Sequence, residues 1–326
     1  MKQALSDNFG RKINYLRLSV TDRCNMRCVY CMPAEGVSRK EHEDILSYEQ
    51  FLLIAEAAIS LGIEKIRVTG GEPLARKGLV GFLEQLAKLP GLRQLVLTTN
   101  GVYLAQQAEA LKVAGVQRLN ISLDSLRPEV FRELTRRDLL AEVLRGIDAA
   151  ERVGLPYKIN MVVMRGRNDE EILDFAELTR KRRCSVRFIE YMPTLQEPDW
   201  HDLLVPGDEI LQRLAGHFDL TPVPRGPLSG PAREFSLPGG QGRIGVIAPF
   251  SGHFCHECNR IRITAGGRVK TCLFADQATD LKPILQTRNI ELLAAELRRL
   301  INAKPARHKL NSCPEHSGFS MSEIGG

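Results

Sequence analysis

Residues 14–31 read Asn14-Tyr15-Leu16-Arg17-Leu18-Ser19-Val20-Thr21-Asp22-Arg23-Cys24-Asn25-Met26-Arg27-Cys28-Val29-Tyr30-Cys31. Residues 14–20 form a β-like run, and three cysteines follow at Cys-x3-Cys-x2-Cys spacing. The C-terminal end of a strand is where α/β folds build their sites. Outward from this unit the pattern repeats. Further β-like runs lie at 64–69, 93–98, 117–123, 156–163 and 184–190. Helical runs separate them at 47–61, 78–89, 102–114, 139–153 and 169–179. Ser47 and Gln50 stand three residues apart, as in a capping box. The strands are rich in Val, Ile and Leu with little polar alternation, which predicts a sheet buried on both faces. Alternating strands and helices predict parallel pairing with right-handed crossovers. Six such units fit either a partial barrel or an open doubly wound sheet, and periodicity does not separate the two.

The alternation stops near Pro193, and residues 193–206 read as a linker. Beyond it a helix is expected at 208–217, short β-like runs at 243–247 and 260–264, and helices at 281–286 and 289–303. Gly and Pro crowd residues 221–242. The expected division is therefore 1–200, the α/β part, and 201–326, a smaller α+β region packed on it. Gly240-Gln241-Gly242-Arg243-Ile244-Gly245 matches G-x-G-x-x-G, but a β-like run follows it, so it reads as a turn.

The chain has 326 residues, 43% of them hydrophobic and 26% charged, which is the balance of an ordinary globular protein. A chain of this size buries a full core without disulfide staples. The longest apolar stretch, 51–59, is broken by Glu56 and is too short to span a bilayer. The first 12 residues lack an apolar core, so no secretory signal is expected and a cytoplasmic location is. Eight cysteines in a reducing compartment call for metal or redox chemistry rather than disulfides. The net charge of +6 suits an anionic partner or a plain solvated surface, and 6% aromatic content argues against a single-strand stacking platform.

Cys24, Cys28 and Cys31 can wrap one face of a four-iron cubane and leave its fourth iron open. The alternative is a zinc site, which requires a fourth ligand from elsewhere. A second group, Cys255-His256-Glu257-Cys258 with Cys272 beyond a turn at Gly266-Gly267, allows the same two readings. Zinc there would draw its fourth ligand from His253, His256 or Cys313. Cys184 opens an apolar strand and reads as a core residue; Cys313 has no clear role.

The first triad, with Gly70-Gly71-Glu72-Pro73 after the second strand, resembles the signature of radical S-adenosylmethionine (SAM) enzymes. Asp7-Asn8-Phe9-Gly10-Arg11-Lys12, Cys258-Asn259-Arg260-Ile261-Arg262 and the terminal Ile324-Gly325-Gly326 narrow the likeness. Together they resemble the GTP 3′,8-cyclase family of molybdenum cofactor biosynthesis over essentially the whole chain. The resemblance implies a partial (β/α)6 TIM-like barrel with a smaller C-terminal α+β region.

It also implies two [4Fe–4S] clusters: one on Cys24, Cys28 and Cys31 that binds SAM, and one on Cys255, Cys258 and Cys272 that binds the guanine of GTP. Tyr30, Gly71, Ser122 and Met192 would line the SAM site. Arg17, Arg67, Thr98, Lys158, Arg260 and Arg262 would hold GTP, with guanidinium forks matched to phosphate oxygens. The resemblance singles out no catalytic side chain; the implied reaction starts from a SAM-derived radical that takes the ribose 3′ hydrogen and closes C3′ onto C8. Gly325 and Gly326 would support the reaction, although two terminal glycines also read as an inert end. The implied partners are GTP, an electron donor, a downstream cyclic pyranopterin monophosphate synthase and a second copy of the chain, with neither nucleic acid nor membrane. Rival readings are another radical SAM enzyme with an auxiliary cluster and a zinc-stabilised nucleic-acid-binding protein.

Overall fold

The computed structural model describes residues 5–37, 42–193, 199–252, 254–275, 277–308 and 321–324. Strands β1 (Tyr15–Ser19), β2 (Lys65–Thr69), β3 (Gln94–Thr99), β4 (Arg118–Ser122), β5 (Tyr157–Val163) and β6 (Ser185–Glu190) pair in sequence order, all parallel. They fall on the six β-like runs read from the sequence, with β3 running one residue past its run to Thr99. Helices return between them, among them Tyr48–Ser60, Leu104–Val113 and Leu140–Arg152. The capping box forms: Gln50 N donates to Ser47 Oγ at 3.3 Å, and Ser47 N donates to Gln50 Oε1 at 2.9 Å. Two of the helix's orphan donors are thereby satisfied. Helix Pro128–Thr135, with proline at its first position, escaped the periodicity.

The C-terminal part is continuous with this sheet. It contributes β7 (Thr221–Val223), β8 (Arg233–Ser236), β9 (Arg243–Ile247), β10 (Arg260–Ile263), β11 (Arg268–Lys270) and β12 (Thr279–Asp280). β9 pairs parallel with β6, and β10 pairs parallel with β1 on the opposite edge. The order is β12-β11-β10-β1-β2-β3-β4-β5-β6-β9-β8-β7, with antiparallel hairpins at both ends. The region expected to pack on the barrel therefore extends both of its edges instead. Residues of β9 and of β10, seven places apart in the sheet, line one cavity, so the sheet curls into a partial barrel.

The loop between β7 and β8 spans the gap between those edges. Leu228 O accepts from Lys65 Nζ at 2.9 Å, and Arg225 pairs with Glu257. Gly242 begins the turn into β9; a Cβ there would lie 1.8 Å from Cys184 O, so glycine is required. Only Gly240–Gly242 of the Gly240–Gly245 run is therefore a turn; Arg243–Gly245 already belong to β9.

β1 and β2 are buried at every position, but their two faces differ. Leu16, Leu18, Ile66 and Val68 join the helix-covered core with Phe51 and Ile54. Tyr15, Arg17, Lys65 and Arg67 face the lumen. The strands do alternate, with cations on one face, and the lumen hides the alternation from solvent. Among the described residues no helix is long and apolar enough to cross a membrane.

Candidate functional site: two thiol triads in one lumen

The lumen holds two adjoining cavities, of about 980 and 1070 Å³. The first lies at the C-terminal ends of β1–β5 and is lined by Cys24, Cys28 and Cys31. The second runs down to Arg17 and Arg67 and across to β6, β9 and β10, and it contains Cys255, Cys258 and Cys272. Asn160, Ile189, Met192 and Met321 border both cavities. All six of these cysteines are free thiols, as is buried Cys184.

The loop carrying the first triad is clamped by the one after β2. Gly71 N donates to Thr21 O at 2.7 Å, and Glu72 N donates to Arg23 O at 2.8 Å. Such close backbone contact excludes side chains: a Cβ on Gly71 would lie 2.3 Å from Arg23 O. Gly70 also takes φ +152°. The fully buried Glu72 carboxylate accepts from Leu74 N at 2.9 Å, Thr99 Oγ1 at 2.8 Å and Asn100 N at 2.7 Å. Burial pushes Glu72 up to about 7 despite those three donors. Asn100 in turn donates through Nδ2 to Asn25 Oδ1 at 2.7 Å and approaches Cys24 Sγ at 3.8 Å. Glu72 thus orients the loop that carries the first cysteine.

Tyr30 donates to Asp124 Oδ2 at 2.7 Å, and Val162 N donates to Asp124 Oδ1 at 2.9 Å. Burial holds Asp124 up at about 6. Burial, then the Asp124 charge, pushes the Cys28 thiol well above its usual range. Burial raises the Cys24 thiol as well, so these two thiols keep their protons until a cation displaces them.

Cys258, in the second triad, has the opposite setting. Burial pushes Cys258 up, but Arg260, Lys304 and Arg262 more than offset it and hold the thiol down at about 6. Parallel pairing sets Tyr15 beside both Arg260 and Lys65, and Arg17 beside both Arg262 and Arg67. Cations on three adjacent strands therefore converge in two layers. Burial, then mutual repulsion, lowers Lys65 to about 6 and Lys158 to about 8. Arg67 and Arg262 fall only to about 10 and stay charged at neutral pH. A concave, buried, multiply cationic wall is built for a polyanion.

Tyr30, Gly71, Ser122 and Met192, the residues the resemblance assigns to SAM, all border the first cavity. Arg17, Arg67, Arg260 and Arg262 border the second. Two anticipated GTP residues lie elsewhere. Thr98 borders the first cavity, because its position on β3 puts it one layer above Arg67. Lys158 borders neither; its ammonium pairs with Glu234 at 2.7 Å. Glu234 also binds Arg187 at 2.9 Å. Lys65, Arg187, Asn100 and Asp124 were not anticipated. Lys65 stands two residues before Arg67, on the same face, which is the signal that could have found it. Gly325, Gly326, His253 and Cys313 lie outside the described residues.

Each cavity presents three thiols, the ligand type that holds one face of a four-iron cluster.

Partial barrel and first triad together define a radical SAM protein. Residues 18–179 match the Radical SAM superfamily, and residues 184–310 match Molybdenum Cofactor Synthesis C. A Geobacter sulfurreducens GTP 3′,8-cyclase is 58% identical over 99% of both chains. One from Moorella thermoacetica is 46% identical over 99% of this chain and 100% of its own. The chain belongs to the GTP 3′,8-cyclase family. The fold is also that of Streptococcus suis SuiB bound to S-adenosylmethionine, at 14% identity and a TM-score of 0.59 over 87% of this chain and 67% of that one.

Proposed function

We propose that this protein cyclises GTP to (8S)-3′,8-cyclo-7,8-dihydroguanosine 5′-triphosphate, the first step of molybdenum cofactor biosynthesis. The observation that carries this reading is the lumen itself. Two thiol triads, one beside a SAM-type glycine clamp and one beside a polycationic wall, border cavities that share four residues. Two substrates held there are presented to one another without solvent between them.

Cys24, Cys28 and Cys31 would hold the first [4Fe–4S] cluster, and Cys255, Cys258 and Cys272 the second. When bound, the first cluster with SAM supplies the 5′-deoxyadenosyl radical. The chain's own part is placement. Gly71 lets backbone approach the methionine end of SAM, and Tyr30, Ser122 and Met192 line its cavity. Arg17, Arg67, Arg260 and Arg262 grip the triphosphate. Thr98, from the SAM side, reaches the substrate where the cavities meet, and Lys158 contributes to the electrostatic field rather than by contact. Gly325 and Gly326, which follow Ile324 in the sequence, would support the reaction. A cytoplasmic homodimer, a reductant for the first cluster and transfer of product to cyclic pyranopterin monophosphate synthase belong to the same reading.

Anaerobic incubation with SAM, GTP and dithionite tests it. Formation of 5′-deoxyadenosine should require GTP, and other nucleoside triphosphates should not replace it. GTP-independent turnover would refute the assignment of substrate.

Triphosphate binding should also take up protons. Lys65, at about 6, is mostly neutral at pH 7.5, and Lys158, at about 8, is partly so. An entering polyanion stabilises their charged forms and raises both values. Affinity for GTP should therefore fall between pH 7 and 9, by at most about tenfold per unit for each proton. Calorimetry at pH 7.5 in two buffers of different ionisation enthalpy would read the uptake directly; proton release would contradict the argument.

A further inference from the structure

Residues 7–12 carry part of the family resemblance but border neither cavity. They form a tight turn around Asp7, whose Oδ1 accepts from Phe9 N and Arg11 N at 3.0 Å each. Gly10 completes the turn at φ +74°. Asp7 and Arg11 are both buried and form an ion pair, Nε to Oδ2, at 2.6 Å. That pair aims the rest of the Arg11 guanidinium away from the turn. Its Nη1 donates to Cys255 O at 2.9 Å and to Ala306 O at 3.1 Å. Its Nη2 donates to Pro305 O at 2.7 Å. One side chain thus joins the N-terminal turn, the first cysteine of the second triad and the chain at 305–306.

The neighbouring contacts have the same arrangement. Buried Lys304 donates to Thr271 O, the carbonyl just before Cys272. Asn259 Nδ2 donates to Asn14 Oδ1 at 2.9 Å, just after Cys258. Cys255 itself lies in a short 3-10 turn, Phe254–Glu257, with no buried residue of its own. Such a turn has little to fix its rotation except outside hydrogen bonds.

We infer that Arg11 is a positioning residue for the second thiol triad, acting through the Cys255 carbonyl. The fork holds the turn so that the Cys255 thiol faces the cavity, and it ties that orientation to residues 305–306. Lysine cannot replace it. A single ammonium keeps the charge beside Asp7 but cannot reach carbonyls on both flanking segments. The inference rests on the proposed function only where iron is measured.

The test uses the full chain carrying Arg11→Lys, with Asp7→Asn for comparison because it keeps the fork. Metal-free protein is treated with iodoacetamide, and each cysteine is followed by peptide mass spectrometry. In R11K, Cys255 should react about tenfold faster while Cys24, Cys28 and Cys31 keep their wild-type rates. Reconstituted R11K should keep the iron of one cluster and lose that of the other, and D7N should lose less. An unchanged Cys255 rate overturns the inference. Parallel acceleration at Cys24 also overturns it, because it signals general loosening. If Cys255 alone accelerates while wild-type protein itself binds only one cluster, the positioning role stands and the two-cluster reading fails.

Discussion

Cys28→Ser should abolish formation of 5′-deoxyadenosine, whereas Cys258→Ser should preserve SAM cleavage and lose the cyclised product. The contrast follows from where the thiols lie. Cys28 borders only the first cavity, among the residues that clamp the SAM loop. A serine hydroxyl does not replace a cluster thiolate, so the first centre is lost with it. Cys258 borders only the second cavity, beside Arg260. Its loss leaves the first triad, Glu72, Asn100 and Asp124 in place. In the proposed reading GTP would then lose its hold at the second triad, and its ribose would be misplaced relative to the radical. A misplacement of about 1 Å costs on the order of 10²-fold, so product should fall at least that far. Chromatography of 5′-deoxyadenosine and of the cyclised nucleotide in one reaction reads both. Equal loss of the two in C258S would mean that the triads are not functionally separate.

The second large effect is expected from a single methyl group. In Gly71→Ala the new Cβ would meet Arg23 O at 2.3 Å, Arg23 C at 2.6 Å and Asp22 O at 2.8 Å. All three are backbone atoms, so no side-chain rotation relieves the clash. The loops must part, breaking the bonds from Gly71 N and Glu72 N, and Cys24 is the next residue along. Overpacking of this kind costs about 1–3 kcal/mol. G71A should therefore melt lower and keep only the iron of the second triad. Gly81→Ala is the control: it sits in helix Leu79–Ala87 with open space around it. There alanine should stabilise by about 0.5–1 kcal/mol. Thermal melts and iron analysis of the two variants suffice; normal iron in G71A would show that the loops yield without moving Cys24.

Several features of the site were legible because their signals are local. The triads are read from spacing, and the six parallel strands from the alternation of β-like and helical runs. Ser47 and Gln50 marked a helix start that the structure bears out. Other features depended on register. Arg260 and Arg17 are 243 positions apart by subtraction, yet their strands pair directly. Nothing local to 260–264 says which edge of the sheet it joins. Lys158 shows the converse. Its residue type suits a phosphate, but Glu234 arrives on β8 and takes it.

By itself, the sequence determined the chemistry this chain can support: six cysteines in two triads, glycines where backbone must touch backbone, and cations at same-face spacing on strands. Side-chain identity and short spacing carry that information directly. Only the tertiary structure decided that the C-terminal part extends both edges of the barrel. It also decided that the two triads share one lumen, that Thr98 belongs to the first cavity and that Arg11 holds Cys255. Those outcomes depend on long-range pairing, where the energy of a contact rests on which distant strand lies alongside, and no local period encodes that choice.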